Sequence, residues 1–126
     1  MNENDKQLLL KDLSCRLTYG VKMIHIADDE QEQVTLIAIA RDMITLASGY
    51  GYSSVNVEDY RPCLFPLTSM TDEQKEIYNN FYVDTLRGLL TPMDAVKMID
   101  WLNKNHFDYR GLIEKGLAFD ATKLNI

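Results

Sequence analysis

The sequence predicts an α+β fold: an N-terminal helix, a small antiparallel β-meander or partly closed barrel, and a C-terminal helical subdomain. Three observations carry that expectation. Leu9, Leu10, Leu13 and Leu17 recur at helical spacing behind a polar start. Residues 21–58 consist of runs rich in β-branched and aliphatic side chains, broken by turn formers. Past Ser69 the helical period returns, with two separate helix-start signals. At 126 residues and 46% apolar content the chain suits one ordinary core, so a single domain 1–126 is expected. Within it, 1–66 forms the helix and sheet and 67–126 the helical subdomain.

The first helix is expected over residues 5–18, with Gly20 placed to end it in a left-handed cap. "VKMIHI" then reads as a first strand, "ADDEQEQ" as a solvated acidic turn, and "VTLIAIA" as a second strand. Both faces of that second strand carry apolar groups, which predicts a central position in the sheet. Arg41 and Asp42 reverse the chain into "MITLAS"; "GYGYSS" reads as a loop loosened by glycine, and "VNV" as a further short strand. In "EDYRPCLFPLTSMT", Pro62 and Pro66 remove backbone donors and predict an ordered strap anchored by Leu64 and Phe65.

Thr71 with Gln74 forms a capping box for the next helix, whose apolar face is Ile77, Tyr78, Phe81 and Leu86 and whose end is Gly88. Thr91, Pro92 and Asp94 start another, with proline at its first position, where the missing donor costs nothing. Its inward stripe is Ala95, Met98, Ile99 and Leu102, with Trp101 beside it. In "HFDYRGLIEKGLA", residues 106–118, Asp108 is placed to cap a third helix. Gly116 would end that helix, with Leu117 folding back on Leu112 in a Schellman ending. Gly111 inside a helix costs about 1 kcal/mol relative to alanine, and close backbone contact is the simplest reason to accept it.

Composition narrows the function classes. A net charge of −6, with both halves of the chain net acidic, argues against salt-driven binding to a phosphate backbone. Cys15 and Cys63 have no C-x-x-C spacing and fit a reducing, cytoplasmic setting. The polar start lacks the apolar centre of a signal peptide, and no apolar run is long enough to cross a bilayer. His25 and His106 stand far apart without clustered thiols, and the acids at 28–32 lack the pattern of a calcium loop, so no metal and no cofactor is expected. "GYGY" lacks the lysine and following helix of a phosphate-binding loop.

Two groups of residues remain as candidate sites. Tyr50, Tyr52 and Tyr60 cluster around a loop with Arg61 beside them, the aromatic and arginine composition that binding hot spots favour. His106, Tyr109 and Arg110 form the second group. No catalytic residue stands out.

Three blocks, "LLLKDLSCRLTYGVK", "LFPLTSMTDEQ" and "DWLNKNHFDYRGLIEKGLAFDAT", resemble, in the same order, the recurring blocks of a family of small uncharacterised proteins of Bacteroidetes, often encoded in prophage-like or mobile regions. The resemblance implies a phage-related intracellular protein and carries no activity, cofactor or catalytic residue. Together these readings lead to an expected noncatalytic interaction module that binds another protein through the tyrosine loop or the 106–110 surface. A short meander with an open edge also makes a homodimer plausible. The alternatives are a small hydrolase or nucleotide-binding enzyme using His106 and a neighbouring acid, and a regulator touching nucleic acid through a local basic patch.

Overall fold

The structure, a computed structural model, describes residues 1–86 and 91–124, with 82–86 as backbone. The expected helix end at Gly88 and the side chain of Leu86 lie outside the described residues. Helix α1, Glu3–Arg16, begins where the Asn2 side chain accepts the Asp5 amide at 2.7 Å, and acidic residues in its first turn complement the helix dipole. A 3₁₀ turn, Leu17–Tyr19, follows, and Gly20 at φ 67° closes it, as its position in the sequence implies. The buried face differs from the leucine stripe expected. It comprises Lys6, Leu9, Asp12, Leu13 and Arg16, while Leu10 and Leu17 are half-buried.

Strands β1 (Lys22–His25), β2 (Val34–Ala40), β3 (Met43–Ser48) and β4 (Gly51–Asn56) form the expected antiparallel meander. The acidic turn before β2 is a local structure, with Asp28 accepting the amides of Glu30 and Glu32. "GYGYSS" is no loose loop. Gly49 and Tyr50 make a two-residue turn, and Gly51 at φ +119° already pairs with Ser48 to begin the return strand.

The strap expected around the prolines is strand β5, Tyr60–Pro66, antiparallel to β1. The Ile26 amide donates to the Asp59 carbonyl, and alternation along the ladder then makes Met23↔Pro62 a non-hydrogen-bonded pair. Proline therefore sits in the strand without breaking a bond to β1.

Helices α2 (Asp72–Leu86) and α3 (Pro92–Lys104) start at the signals read from the sequence: Gln74 and Thr71 exchange bonds of 2.9 and 3.1 Å in the expected box, and Thr91 with Asp94 forms a second one. Ile77 lies off the buried face, 37% exposed, whereas Tyr78 joins the cluster of Met70, Leu102 and Phe107, together with Met98, Ile99 and Trp101.

The helix expected between Asp108 and Gly116 does not form. Two short strands, β6 (Phe107–Asp108) and β7 (Phe119–Asp120), run parallel to β5 and complete an open sheet of order β4-β3-β2-β1-β5-β6, with β7 also on β5. Between them the start and stop signals act on a single turn. Asp108 accepts the Leu112 and Ile113 amides, both at 2.9 Å, and the Schellman bonds Gly116 to Ile113 and Leu117 to Leu112 close the other side. Gly111 is explained by φ +74°, since a side chain there would meet nothing within 4 Å.

The main core lies between α1 and the inner face of the sheet. Leu9 and Leu13 meet Met23, Leu36, Ile44, Leu46 and Leu64, joined by Leu112 and Leu117 from the tail. Each such side chain contributes roughly 1.5–3 kcal/mol by leaving water. On the opposite face, Ala121 and Phe119 cover Ile24 and Cys63 of β1 and β5. The outer face of β2–β4 has no comparable cover among the described residues.

Candidate functional site

The structure brings His106, Tyr109 and Arg110 together against α1, and adds three residues that the sequence reading passed over: Asp12, Arg16 and Asn103. Asp12 and Arg16 are wholly buried. Arg16 donates through Nε and Nη2 to the Asp12 carboxylate at 2.8 and 3.2 Å and through Nη2 to the Phe107 carbonyl at 2.6 Å. Arg110 Nε approaches the same carboxylate at 3.2 Å, and its Nη2 reaches Cys15 Sγ at 3.6 Å.

The Tyr109 ring lies against both guanidinium groups, with Cζ of Arg16 and Arg110 at 5.3 and 5.1 Å from its centroid, and its hydroxyl donates to Asn103 at 2.7 Å. One carboxylate and one ring thus hold two cations and fasten the tail to the first helix. Burial works against the charge on Arg110, but Tyr109, Cys15 and Asp12 outweigh it and raise its pKa. Asp12 and Arg16 fall four apart in α1, inside the face that also buries Leu9 and Leu13. A charged pair interrupting an apolar stripe was the available signal.

His106 adopts φ 57°, and its buried Nδ1 has no hydrogen-bond partner. Its pKa lies below the ordinary value, chiefly through burial and then through the charge of Arg16, with Lys22 a smaller contribution. A hydrogen bond to the Tyr19 backbone and the charge of Asp12 act the other way. The unfolded chain therefore binds more protons than the folded one. Stability from this residue is complete above about pH 6.5 and declines as pH falls through 6.5 towards the lower folded pKa. His106→Asn, which tolerates positive φ, is expected to flatten that part of the stability profile, measured by urea unfolding from pH 5 to 8. An unchanged slope would show that His106 is not the group responsible.

The tyrosine group separates. Tyr60 is half-buried, edge-on to His25 at 5.0 Å, with its pKa raised mainly by burial. The Arg61 guanidinium donates to the carbonyls of Glu58, Tyr60 and Gly116, so it is committed to bracing the chain. Tyr50, at the hairpin turn, and Tyr52, on β4, are 98% and 78% exposed.

Tyr52 belongs to a wider surface. Paired residues share a face, so the outer side of β2–β4 presents three rows: Thr35, Ala47 and Tyr52; Ala38, Thr45 and Ser54; Ala40, Met43 and Asn56. Ile37 stands out at the bulge between Leu36 and Ala38, 42% exposed, and Met43 is 41% exposed. None of these ten positions is charged, in a chain with 25% charged residues. The apolar second face of "VTLIAIA", read as a sign of a central strand, does belong to a central strand, but the strand turns that face to solvent.

Cys63 is buried, and burial pushes its thiol up to about 11, the behaviour of a packing residue. Both cysteines are free. Among the described residues no group of three or more His, Cys, Asp or Glu side chains is arranged to hold a metal ion, and no helix is long and apolar enough to cross a membrane. No family model matches this chain, and no curated protein or solved structure matches it.

Proposed function

We propose that the chain is a noncatalytic protein-interaction module that docks another protein on the outer face of β2–β4. The observation that carries this reading is the uncharged face itself, with Ile37, Met43 and Tyr52 exposed on it and Tyr50 at its hairpin end. Desolvating the ten uncharged positions sacrifices little ion hydration, the nearest charge being Lys22, which donates to Thr35 at the β1 side, and tyrosine supplies large contact area with few torsions to freeze. The other sequence candidates, Arg61, Tyr109 and Arg110, already have internal partners, as do the basic residues Lys6 and Arg16. That leaves less cationic surface for a nucleic acid. A cytoplasmic setting fits the two free cysteines, and a phage or mobile-element origin rests on the three sequence blocks.

The test is affinity capture from host lysate with the whole chain as bait, followed by titration of the retained protein. Tyr52→Ala combined with Met43→Ala is expected to weaken binding by roughly 30-fold or more, the loss typical of a central hot spot. A partner retained equally by both baits would place the docking surface elsewhere.

A further inference from the structure

The two long edges of this sheet are treated differently. Beyond β5, two separate tail segments, β6 and β7, are laid along the strand and cover it. Beyond β4 no strand pairs among the described residues. Strand edges left open are ordinarily guarded by a lysine, a proline or a bulge, because bare amides and carbonyls invite another strand. β4, "GYSSVN", has no charged residue and no proline, and pairs with β3 in unbroken register from Gly51 to Asn56.

We propose that this edge takes a second copy of the chain, β4 pairing antiparallel with β4 of the partner about a two-fold axis at Ser54. The proposal goes beyond the docking face described above, since it uses the strand's edge and leaves its outer surface free.

The choice of occupant and register follows from the ladder. The Val57 amide donates to the Asp42 carbonyl, so alternation directs the amides and carbonyls of Val55 and Ser53 towards β3 and those of Tyr52, Ser54 and Asn56 outward. Only a register that places Ser54 opposite its own copy uses all three outward residues of both strands. Tyr52 then faces the partner's Asn56; because the Asn56 carbonyl already starts the 3₁₀ turn Val57–Asp59, the three pairs can form about four backbone hydrogen bonds.

Charge selects the same arrangement. Glu58 and Asp59 follow the strand at one end alone; both are exposed, Glu58 paired with Lys6 at 3.3 Å. A parallel alignment would stack these acids on their copies, in a protein whose net charge is already −6. The two-fold sends them to opposite ends, each near the partner's hairpin turn, which carries no charge. The residues brought into contact at the centre, Ser53, Ser54 and Val55, are small enough to pass without clash. A single strand pair buries area at the low end for protein interfaces, so the dimer should depend on concentration.

Sedimentation equilibrium of the purified full chain, from about 10 µM to about 1 mM, reads the mass directly. The wild type is expected to rise from 14.5 kDa towards twice that value. Ser54→Pro removes an outward donor without touching the β3 ladder, and Ser54→Lys sets like charges opposite each other. Each should weaken dimerisation at least ~10-fold while far-UV circular dichroism stays unchanged. Should the proline variant fail to fold, Ser54→Lys and Ser54→Asp, both exposed substitutions, carry the test. An equimolar mixture of those two is expected to dimerise where each alone does not.

A wild type that stays at 14.5 kDa throughout overturns the proposal, as does a dimer that the variants leave unchanged, or a mixture that stays monomeric. The measurement needs no other protein, so its result is independent of whether the outer face docks a partner.

Discussion

Asp12→Ala is expected to destabilise the protein by about 3–5 kcal/mol, the range for breaking a buried ion pair by removing one member. For a chain of this size that corresponds to a fall in Tm of roughly 10–20 °C. The reason is what remains behind. Arg16 has no solvent exposure, and without Asp12 its charge would be left with the Phe107 carbonyl and the face of Tyr109. Arg110 matters less, because its side chain is 21% exposed and can turn towards water. Removing both ends should therefore cost less than removing one. The double variant Asp12→Leu, Arg16→Met leaves no uncompensated charge on α1 and is expected to be more stable than Asp12→Ala alone. Urea unfolding of the single and double variants decides the matter; a loss below about 1 kcal/mol for Asp12→Ala would mean that water reaches the pair.

The same residues show what was and was not legible in the sequence. α1, the first three strands and the starts of α2 and α3 each carry their own signal, a period or a cap, and each forms close to where that signal lies. β5 was misread because proline ordinarily argues against a strand, and its tolerance here depends on which way position 62 faces in a pairing with β1. The third helix was misread for a related reason. Asp108, Gly116 and Leu117 are correct start and stop signals, but they serve a single turn as well as a helix, and nothing local sets the distance between them. β6 and β7 are two residues each and exist through their pairing with β5, more than 40 positions away. The carboxylate at Asp12 could be suspected from its place in an apolar stripe, yet its second cation, Arg110, lies at the far end of the chain. Of the candidate cluster read around the loop, Tyr50 and Tyr52 are exposed, whereas Tyr60 and Arg61 are drawn inward by contacts between distant segments.

Exposure also separates two uses of similar residues. Within the 106–110 segment Arg110 reaches α1, Tyr109 bonds Asn103 of α3 and Asp108 caps its own turn, whereas the outer face of β2–β4 is uncharged and touched at its edge by Lys22, which donates to Thr35. A surface that keeps Ile37, Met43 and Tyr52 in water is where association costs the chain least.

Leu112→Ala tests whether the nonhelical tail is part of the core or an appendage laid upon it. The side chain is wholly buried and packs in the same cluster as Leu9, Leu13, Met23 and Leu64, although its backbone belongs to one isolated turn. If that packing is as tight as the helix and sheet around it, truncation leaves a cavity that cannot collapse, and the expected cost is about 2–5 kcal/mol. A short turn could instead shift inward and fill the space, which would bring the loss nearer the lower bound. Asp108 opposes that shift, because its carboxylate pins the Leu112 and Ile113 amides while Leu117 closes back on the Leu112 carbonyl. Glu114→Ala, at an exposed position of the same turn, is the control and should stay within about 0.5 kcal/mol of the wild type. Similar losses for the two variants in urea unfolding would show that the tail opens before the core does. A large loss for Leu112→Ala alone would make the last twenty residues a condition for the fold as a whole.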